Sequence, residues 1–162
     1  MNNNWPEKID LIVFDFDGVM TDNRVIIMED GSEGVFCNRA DGLGIDLLRK
    51  NNVRMLILST ETNDVVVKRA KKLRLPVLHG LENKVFSLKE YLNQNKISPK
   101  NVAYIGNDIN DLECLKLVGL PVVVADANPK LYSTAVLTLK RNGGHGAVRE
   151  FCDIIADSYL KN

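Results

Sequence analysis

The fold is decided by the nine residues LIVFDFDGV, which run from Leu11 to Val19. Four apolar residues lead without interruption into Asp15, and such a run is typical of a strand covered on both faces of a sheet. Asp15 and Asp17 are two positions apart in extended backbone, so their side chains start on the same face. Gly18 then allows the chain to turn away sharply. The stretch predicts a buried strand that carries two carboxylates to one edge of a sheet.

Similar apolar runs recur along the chain and alternate with helical patterns. The predicted strands are Leu11–Phe14, Val53–Leu58, Pro76–Leu78, Val102–Ile105, Pro121–Val124 and Val136–Leu139. The predicted apolar helix faces are Leu43, Leu47 and Leu48; Val66, Ala70 and Leu73; and Val148, Phe151, Cys152, Ile155 and Tyr159. The alternation predicts an α/β fold with a doubly wound parallel sheet. No linker is visible, so we expect residues 1–162 to form a single domain.

One segment departs from this alternation. Two short strand-like runs, Arg24–Met28 and Gly34–Cys37, flank the turn-rich tetrapeptide Glu29-Asp30-Gly31-Ser32. They predict a β-hairpin over residues 24–37 that projects just after the first strand.

Charge and composition exclude several classes of function. The chain has 21 basic and 21 acidic side chains, which argues against a general grip on nucleic acid or on an anionic membrane. Its longest apolar runs are four residues, too short to span a bilayer. Three cysteines without a CxxC pair suggest neither a disulfide framework nor a zinc site, so a reducing cytoplasm is expected. A small anionic substrate remains compatible with these numbers.

Polar residues follow four successive strands, at the edge where open α/β sheets bind ligands. After Asp15 and Asp17 come Ser59-Thr60, then Lys84, and then the loop Gly106-Asn107-Asp108-Ile109-Asn110-Asp111. Two close carboxylates repel each other unless a cation lies between them, and Mg²⁺ prefers oxygen ligands. Taken singly, each cluster is compatible with a helix cap, a turn or a solvated surface. Their order, each after its own strand, favours a phosphate site.

At these residues the chain resembles the haloacid dehalogenase (HAD) superfamily of phosphotransferases, whose four motifs appear in this order. DFDGV resembles the DxDG motif of that family. Further segments resemble its capless branch: Asp41-Gly42-Leu43-Gly44-Ile45, the GNDIND loop, Ala125-Asp126-Ala127 and residues 143–150. That branch includes 3-deoxy-manno-octulosonate (KDO) 8-phosphate phosphatases, nonulosonate 9-phosphate phosphatases and the C-terminal domain of some CMP-sialate synthetases. The resemblance implies a Rossmann-like core.

The resemblance also implies a role for each catalytic residue. Asp15 would attack phosphorus and carry the phosphoryl group, and Asp17 would act as general acid and base. Ser59 and Lys84 would bind the transferring phosphoryl oxygens. Mg²⁺ would be held by the Asp15 carboxylate, the Asp17 backbone carbonyl and the fourth motif.

Two positions depart from the octulosonate phosphatases. Asn107 stands where those enzymes commonly have Asp, so either Asn107 binds Mg²⁺ more weakly or Asp108 is the ligand. Glu61 stands where they typically have arginine. Glu61 with Lys72 resembles the nine-carbon branch, although an exposed Glu is also favoured at the start of a helix.

Other polar residues are assigned to the substrate. The predicted substrate contacts are Thr60, Glu61, Lys72 and Arg149. His145, which is flanked by glycines, is either a further contact to the sugar carboxylate or an ordinary loop residue.

The resemblance implies self-association as well. About forty residues separate Asp17 from Ser59, too few for a cap domain beside the hairpin and a helix. The branch closes its site by forming a homotetramer, so the hairpin is expected to be an assembly element and a partial lid. The function implied is a sugar-acid phosphatase. The alternative is a weakly active or non-catalytic tetramerisation domain associated with a CMP-sialate synthetase. A two-component receiver domain is disfavoured, because its acceptor Asp follows the third strand.

Overall fold

The strands of the central sheet are short apolar segments, as their sequences predict. The computed structural model describes residues 5–160. Its strands are β1 (Leu11–Phe14), β2 (Thr21–Ile27), β3 (Glu33–Cys37), β4 (Met55–Leu58), β5 (Val77–Leu78), β6 (Val102–Gly106), β7 (Leu120–Val123) and β8 (Leu137–Thr138). Six of these form one sheet in the order β5-β4-β1-β6-β7-β8, and each neighbouring pair is parallel. β1, β4, β6 and β7 are entirely buried, because helices cover both faces.

The order of the strands places a topological switch beside β1. From β1 the chain proceeds outward to β4 and β5, and then crosses to β6 on the other side of β1. Ligands of doubly wound sheets bind at the carboxyl ends of the strands at such a switch.

The helices are α1 (Arg39–Lys50), α2 (Val65–Leu73), α3 (Lys84–Gln94), α4 (Leu112–Leu117) and α5 (Ala147–Tyr159). The predicted faces of α2 and α5 are buried, except that Tyr159 is half-buried. For α1 the prediction is confirmed for Leu48 but was wrong for the other two residues. Leu43 and Leu47 are exposed, and the buried residues of α1 are Asp41, Gly44, Ile45 and Leu48. The reason is close packing on α5: a Cβ atom at Gly44 would lie 2.8 Å from the Cys152 Cβ.

β2 and β3 form an antiparallel hairpin that is separate from the central sheet. It begins three residues earlier than predicted, at Thr21, and the register of the two strands shifts between Thr21 and Val25. Within residues 5–160 only this hairpin and α1 separate β1 from β4. The prediction of a doubly wound sheet with a projecting hairpin and no cap domain is confirmed. The predicted domain bounds, residues 1 and 162, lie outside the described residues.

The first and the last described residues meet at the edge of the sheet opposite the carboxyl ends of its strands. The Trp5 and Tyr159 rings stack with centroids 6.2 Å apart. The Tyr159 hydroxyl also donates a hydrogen bond to the Pro6 carbonyl at 2.7 Å. No helix within residues 5–160 is long and apolar enough to cross a membrane.

Asp41 joins the first turns of α1 and α5. Its Oδ1 accepts a hydrogen bond from the Arg149 N–H at 3.1 Å, while its Oδ2 is buried with no hydrogen-bond partner among the described residues. Burial raises the pKa of Asp41 from 3.8 to about 6. The hydrogen bond from the Arg149 N–H and the positive charges of Arg69 and Arg141 lower this pKa but do not outweigh burial.

Ionisation of Asp41 is therefore expected to lower the stability of the fold. The folded chain binds this proton more tightly than the unfolded chain does. Protonated Asp41 therefore adds to the free energy of unfolding, fully below about pH 4, and this stabilisation is lost as the pH rises through about 6. The loss amounts to at most about 3 kcal/mol. In Asp41→Asn this dependence should disappear, since the amide oxygen still accepts from Arg149. Urea unfolding from about pH 4 to 7 measures it, with Asp46→Asn, exposed on the same helix, as control. An unchanged pH dependence in Asp41→Asn would contradict the assignment.

Candidate active site

A cavity of about 310 Å³ opens at the carboxyl ends of β1, β4 and β6. Three of the four predicted polar clusters line it: the Asp pair, the Ser-Thr pair and the acidic loop. The fourth, Lys84, does not line the cavity but contacts Asp15. The lining residues are Asp15, Asp17, Asn23, Ser59, Thr60, Asn107, Asp108, Ile109 and Asn110. Asn23, from the hairpin, was not predicted. Its positive φ of 64° was not readable from the sequence.

Asp15 is held at the floor of the cavity by the backbone and by one lysine. Its N–H donates to the Ile105 carbonyl at 3.0 Å, which continues the β1–β6 ladder past the end of the strand. The Lys84 Nζ, in the first turn of α3, donates to the Asp15 Oδ1 at 2.6 Å and to the Asp111 Oδ1 at 2.8 Å. All three side chains are buried. Lys84 is therefore a buried bridge between two carboxylates.

Asp111 was not among the predicted site residues, although it ends the GNDIND loop. Its Oδ1 also accepts from the Tyr104 hydroxyl at 2.7 Å. Its Oδ2 accepts from the Asn107 N–H at 2.9 Å and from the Asp108 N–H at 3.3 Å. Gly106 makes this possible, because a Cβ there would lie 2.7 Å from the Asp111 carboxyl. Asp111 thus shapes the loop that faces Asp15.

The charges of this buried group do not balance. Burial raises the pKa of Asp15 to about 8, and the negative charge of Asp111 adds to this effect while Lys84 opposes it. Burial lowers the pKa of Lys84, but the two carboxylates outweigh it and the net direction is upward. One lysine charge is shared by two carboxylates, so a further positive charge beside Asp15 would favour its ionised form.

Asp17 lines the same cavity as Asp15 and is half-buried. Its Oδ1 accepts a hydrogen bond from the Thr21 hydroxyl at 3.3 Å. Burial raises the pKa of Asp17, the negative charges of Glu61 and Glu33 add to the rise, and Thr21 and Lys84 oppose it. A carboxyl with a raised pKa is suited to give and take a proton near neutral pH.

The residues beside Asp15 fit a hard cation. Asn107 Oδ1 is buried and has no hydrogen-bond partner among the described residues, which suits an oxygen that awaits a ligand. Asp108, by contrast, uses its Oδ1 to accept from the Ile109 N–H and from Asn128 Nδ2, at 2.7 and 3.0 Å. Within residues 5–160 no three His, Cys, Asp or Glu side chains could hold an ion together. Magnesium would instead be held by the Asp15 carboxylate, the Asn107 amide oxygen, the Asp17 carbonyl and water.

The polar residues after β4 divide into two groups. Ser59 is buried at the cavity, and its Oγ accepts a hydrogen bond from the Glu61 N–H at 3.0 Å, which leaves its own proton available to a ligand. Thr60 lines the cavity beside it. Glu61 is not among the lining residues, and its Oε1 accepts from the Asn63 N–H at 2.7 Å. It is close enough to raise the pKa of Asp17.

The structure does not bring Lys72, Arg149 or His145 to the cavity of the same chain. Lys72 is in the last turn of α2, which runs back from the cavity edge toward the opposite edge of the sheet. The Arg149 guanidinium pairs with Asp153 at 2.9 Å. His145 Nδ1 is 2.8 Å from the Gly143 carbonyl oxygen. Contacts of Lys72 and Arg149 with a substrate stay predictions, and they would require a neighbouring subunit.

Comparisons with known proteins agree with this geometry. The model of the haloacid dehalogenase-like hydrolase family matches residues 47–151. The chain is 36% identical over 150 residues to the 3-deoxy-D-manno-octulosonate 8-phosphate phosphatase KdsC of Salmonella typhi, covering 92% of this chain and 80% of that one. It is 33% identical over 152 residues to N-acylneuraminate cytidylyltransferase A of Danio rerio. That match covers 93% of this chain but only 35% of the longer relative.

A solved structure has the same fold. The 3-deoxy-D-manno-octulosonate 8-phosphate phosphatase of Moraxella catarrhalis, in complex with magnesium, phosphate and KDO, superposes with a TM-score of 0.89. The two are 28% identical, and the alignment covers 92% of this chain and 86% of that one. The chain therefore belongs to the haloacid dehalogenase-like hydrolases and is a phosphoric monoester hydrolase of the KdsC-like branch.

Proposed function

We propose that the chain is a Mg²⁺-dependent phosphatase for a 3-deoxy-2-ulosonic acid phosphate and that it acts through an aspartyl-phosphate on Asp15. The observation that carries the proposal is the buried contact between Asp15 and Lys84, with Asp17 two residues further on and lining the same cavity. A nucleophile fixed by a lysine beside a carboxyl with a raised pKa is suited to covalent transfer followed by hydrolysis.

Each step has a residue in place. In the first step an Asp15 carboxylate oxygen bonds to phosphorus while the bond from phosphorus to the sugar oxygen breaks, and Asp17 gives its proton to that oxygen. In the second, water attacks phosphorus, Asp17 takes the proton of the water, and Asp15 is released as a carboxylate. Lys84 has a third N–H, and Ser59 has a free proton, for the phosphoryl oxygens. Bound Mg²⁺ would neutralise the negative charge that gathers on the phosphoryl group.

The substrate is proposed to be an eight- or nine-carbon sugar acid: KDO-8-phosphate, or the 9-phosphate of an N-acylneuraminate or of the related deaminated acid KDN. Glu61, close to Asp17, favours the nine-carbon acids by its resemblance to that branch. The test is phosphate release from all three, with Mg²⁺ and with EDTA, and with Asp15→Asn as control. Turnover of a nine-carbon substrate above KDO-8-phosphate is expected. Failure to hydrolyse any of them with Mg²⁺ would favour a tetramerisation domain beside a synthetase.

Asn107 is proposed as the metal ligand of the fourth motif. Asn107→Asp adds a negative charge to the site, so we expect the Mg²⁺ concentration at half-maximal activity to fall by about tenfold. Asp108→Asn is the matched control and should leave it within about twofold, since that side chain caps the following turn. A larger effect of Asp108→Asn than of Asn107→Asp would contradict this assignment.

The hairpin is proposed to assemble the chain into a homotetramer and to cover a neighbour's cavity. Four of its apolar side chains are more than half exposed, namely Val25, Ile27, Met28 and Phe36. By the pairing of Val25 with Val35, Val25 and Ile27 share one face of the hairpin and Phe36 lies on the other. Exposed apolar side chains grouped in this way indicate a contact surface.

Ile27, exposed by 72%, offers a direct test of assembly. We expect Ile27→Asp to elute from gel filtration as a smaller species than the parent chain, because a charge cannot be buried there without a partner. Leu43→Asp, at an equally exposed apolar position on α1, is the control and should elute with the parent. Identical elution of all three proteins would contradict the role of the hairpin.

A further inference from the structure

The hydroxyl of Thr21 is completely buried beneath Asp17 and makes three hydrogen bonds. Its Oγ1 accepts from the Gly18 N–H at 3.1 Å and from the Asn23 N–H at 3.2 Å. It also donates to the Asp17 Oδ1 at 3.3 Å. Thr21 was not among the residues that the sequence singled out for chemistry.

The three contacts fix the direction of the hydroxyl proton. A hydroxyl has one proton to donate and two lone pairs that accept. Because two backbone N–H groups occupy both lone pairs, the proton is left with Asp17 Oδ1 as its acceptor. Oδ1 of Asp17 then cannot carry a proton of its own toward Thr21, since two donors would face each other.

The backbone around Thr21 adopts conformations that non-glycine residues rarely take. Asn23 has a φ of +64° and lies within the shifted register between Thr21 and Val25, and Gly18 has a φ of +80°. Both N–H groups converge on one oxygen as a result. Such strain persists where the surroundings enforce it, and it often marks a functional site.

A glycine loop holds Thr21 from the other side. A Cβ at Gly143 would lie 3.1 Å from the Thr21 carbonyl oxygen, and one at Gly144 would lie 2.5 Å from its carbonyl carbon. The Gly144 N–H also donates to the Val19 carbonyl at 3.0 Å. Thr21 therefore has little freedom to move away from Asp17.

We propose that Thr21 is a positioning residue for proton transfer: it holds Asp17 by Oδ1 and leaves Oδ2 as the oxygen that gives the proton to the sugar and takes it from water. The proton of Thr21 itself never leaves. This inference rests on the proposed role of Asp17 as general acid and base. Beyond that role, it identifies Oδ2 as the oxygen of Asp17 that exchanges the proton and Thr21 as the residue that selects it.

The test compares two leaving groups, because only a poor one needs a proton. We expect Thr21→Val to lower kcat/KM for a sugar-acid phosphate by about 100-fold, within the usual contribution of general acid catalysis. For para-nitrophenyl phosphate, whose leaving group departs without a proton, kcat/KM should stay within about threefold of the parent value. Thr21→Ser keeps the hydroxyl and should restore the sugar-acid activity to within about fivefold of the parent.

Controls separate this role from a structural one. Thr138→Val is the same substitution at an exposed position of β8, and it should leave kcat/KM for both substrates unchanged. Since Thr21→Val leaves two buried N–H groups without an acceptor, Tm is measured for each variant, and Thr21→Cys serves if valine does not fold. Equal losses on both substrates, or no loss on either, would overturn the proposal.

Failure of the proposed substrate class gives a different result. A parent chain that hydrolyses para-nitrophenyl phosphate but no sugar-acid phosphate overturns the substrate and not Thr21. Glycerol phosphate, another alkyl ester with a poor leaving group, then takes the place of the sugar acid in the same comparison. If Thr21→Val loses activity on glycerol phosphate but not on para-nitrophenyl phosphate, the proposal is supported. Equal losses on both esters, or no loss on either, overturn it.

Discussion

Asp15→Asn will abolish phosphate release while leaving the fold intact. An amide cannot attack phosphorus, so kcat is expected to fall by at least about 10⁴-fold, as when other catalytic nucleophiles are removed. Stability should be unchanged or higher, because a buried carboxylate with a raised pKa is replaced by a neutral group whose oxygen still accepts from Lys84. The measurements are phosphate release at saturating substrate and the thermal midpoint.

Two further measurements sharpen this prediction. Rapid quenching of the parent chain in acid should trap a phosphoryl group on Asp15, and mass spectrometry should find none in Asp15→Asn. Asp64→Asn, an exposed Asp just before α2, is the matched control and should retain parental activity. Activity of Asp15→Asn within about tenfold of the parent would contradict the nucleophile assignment.

Lys84→Met is expected to be the most destabilising of these substitutions. It leaves Asp15 and Asp111 buried without their shared counter-charge, and removing one partner of a buried ion pair costs about 3–5 kcal/mol. Activity should fall by about 10²-fold or more, since the donor that we propose for the phosphoryl group is lost as well. Urea unfolding in EDTA measures the stability without help from a bound cation.

A double-mutant cycle distinguishes lost charge balance from lost packing. In the double variant Lys84→Met/Asp111→Asn, one of the two carboxylates left without a counter-charge is removed. Its free energy of unfolding should therefore fall by less than the sum of the losses in the two single variants. Lys116→Met, which breaks the surface pair with Glu113, is the control and should change stability by less than about 1 kcal/mol. Additive effects at Lys84 and Asp111, within about 0.5 kcal/mol, would contradict the shared bridge.

The sequence predicted what depends on local pattern. Apolar runs identify strands because a strand covered on both faces has no polar side to show. The carboxylate pair after β1 and the Ser-Thr pair after β4 could be assigned to one edge because parallel strands all end there. These inferences needed only the order of the elements.

What the sequence did not predict depends on contacts between distant segments. Leu43 resembled a core residue, but the position of α5 above Gly44 decides which face of α1 is buried. Asp111 resembled one more loop acid, and only its contact with Lys84, 27 positions earlier, shows its role. Lys72 was paired with Glu61 by the resemblance to the nine-carbon branch, yet the direction of α2 carries it away from the cavity.

The stacking of Trp5 on Tyr159 has a consequence for the architecture of larger proteins. Both sides of the described chain emerge at one corner of the molecule, at the far edge of the sheet from Asp15. A fusion partner joined before Trp5 or after Tyr159 would be tethered at that edge, away from the cavity that Asp15 and Asp17 line. In such a fusion the covalent joint and the carboxylates that we propose as catalytic would be at opposite edges of the sheet.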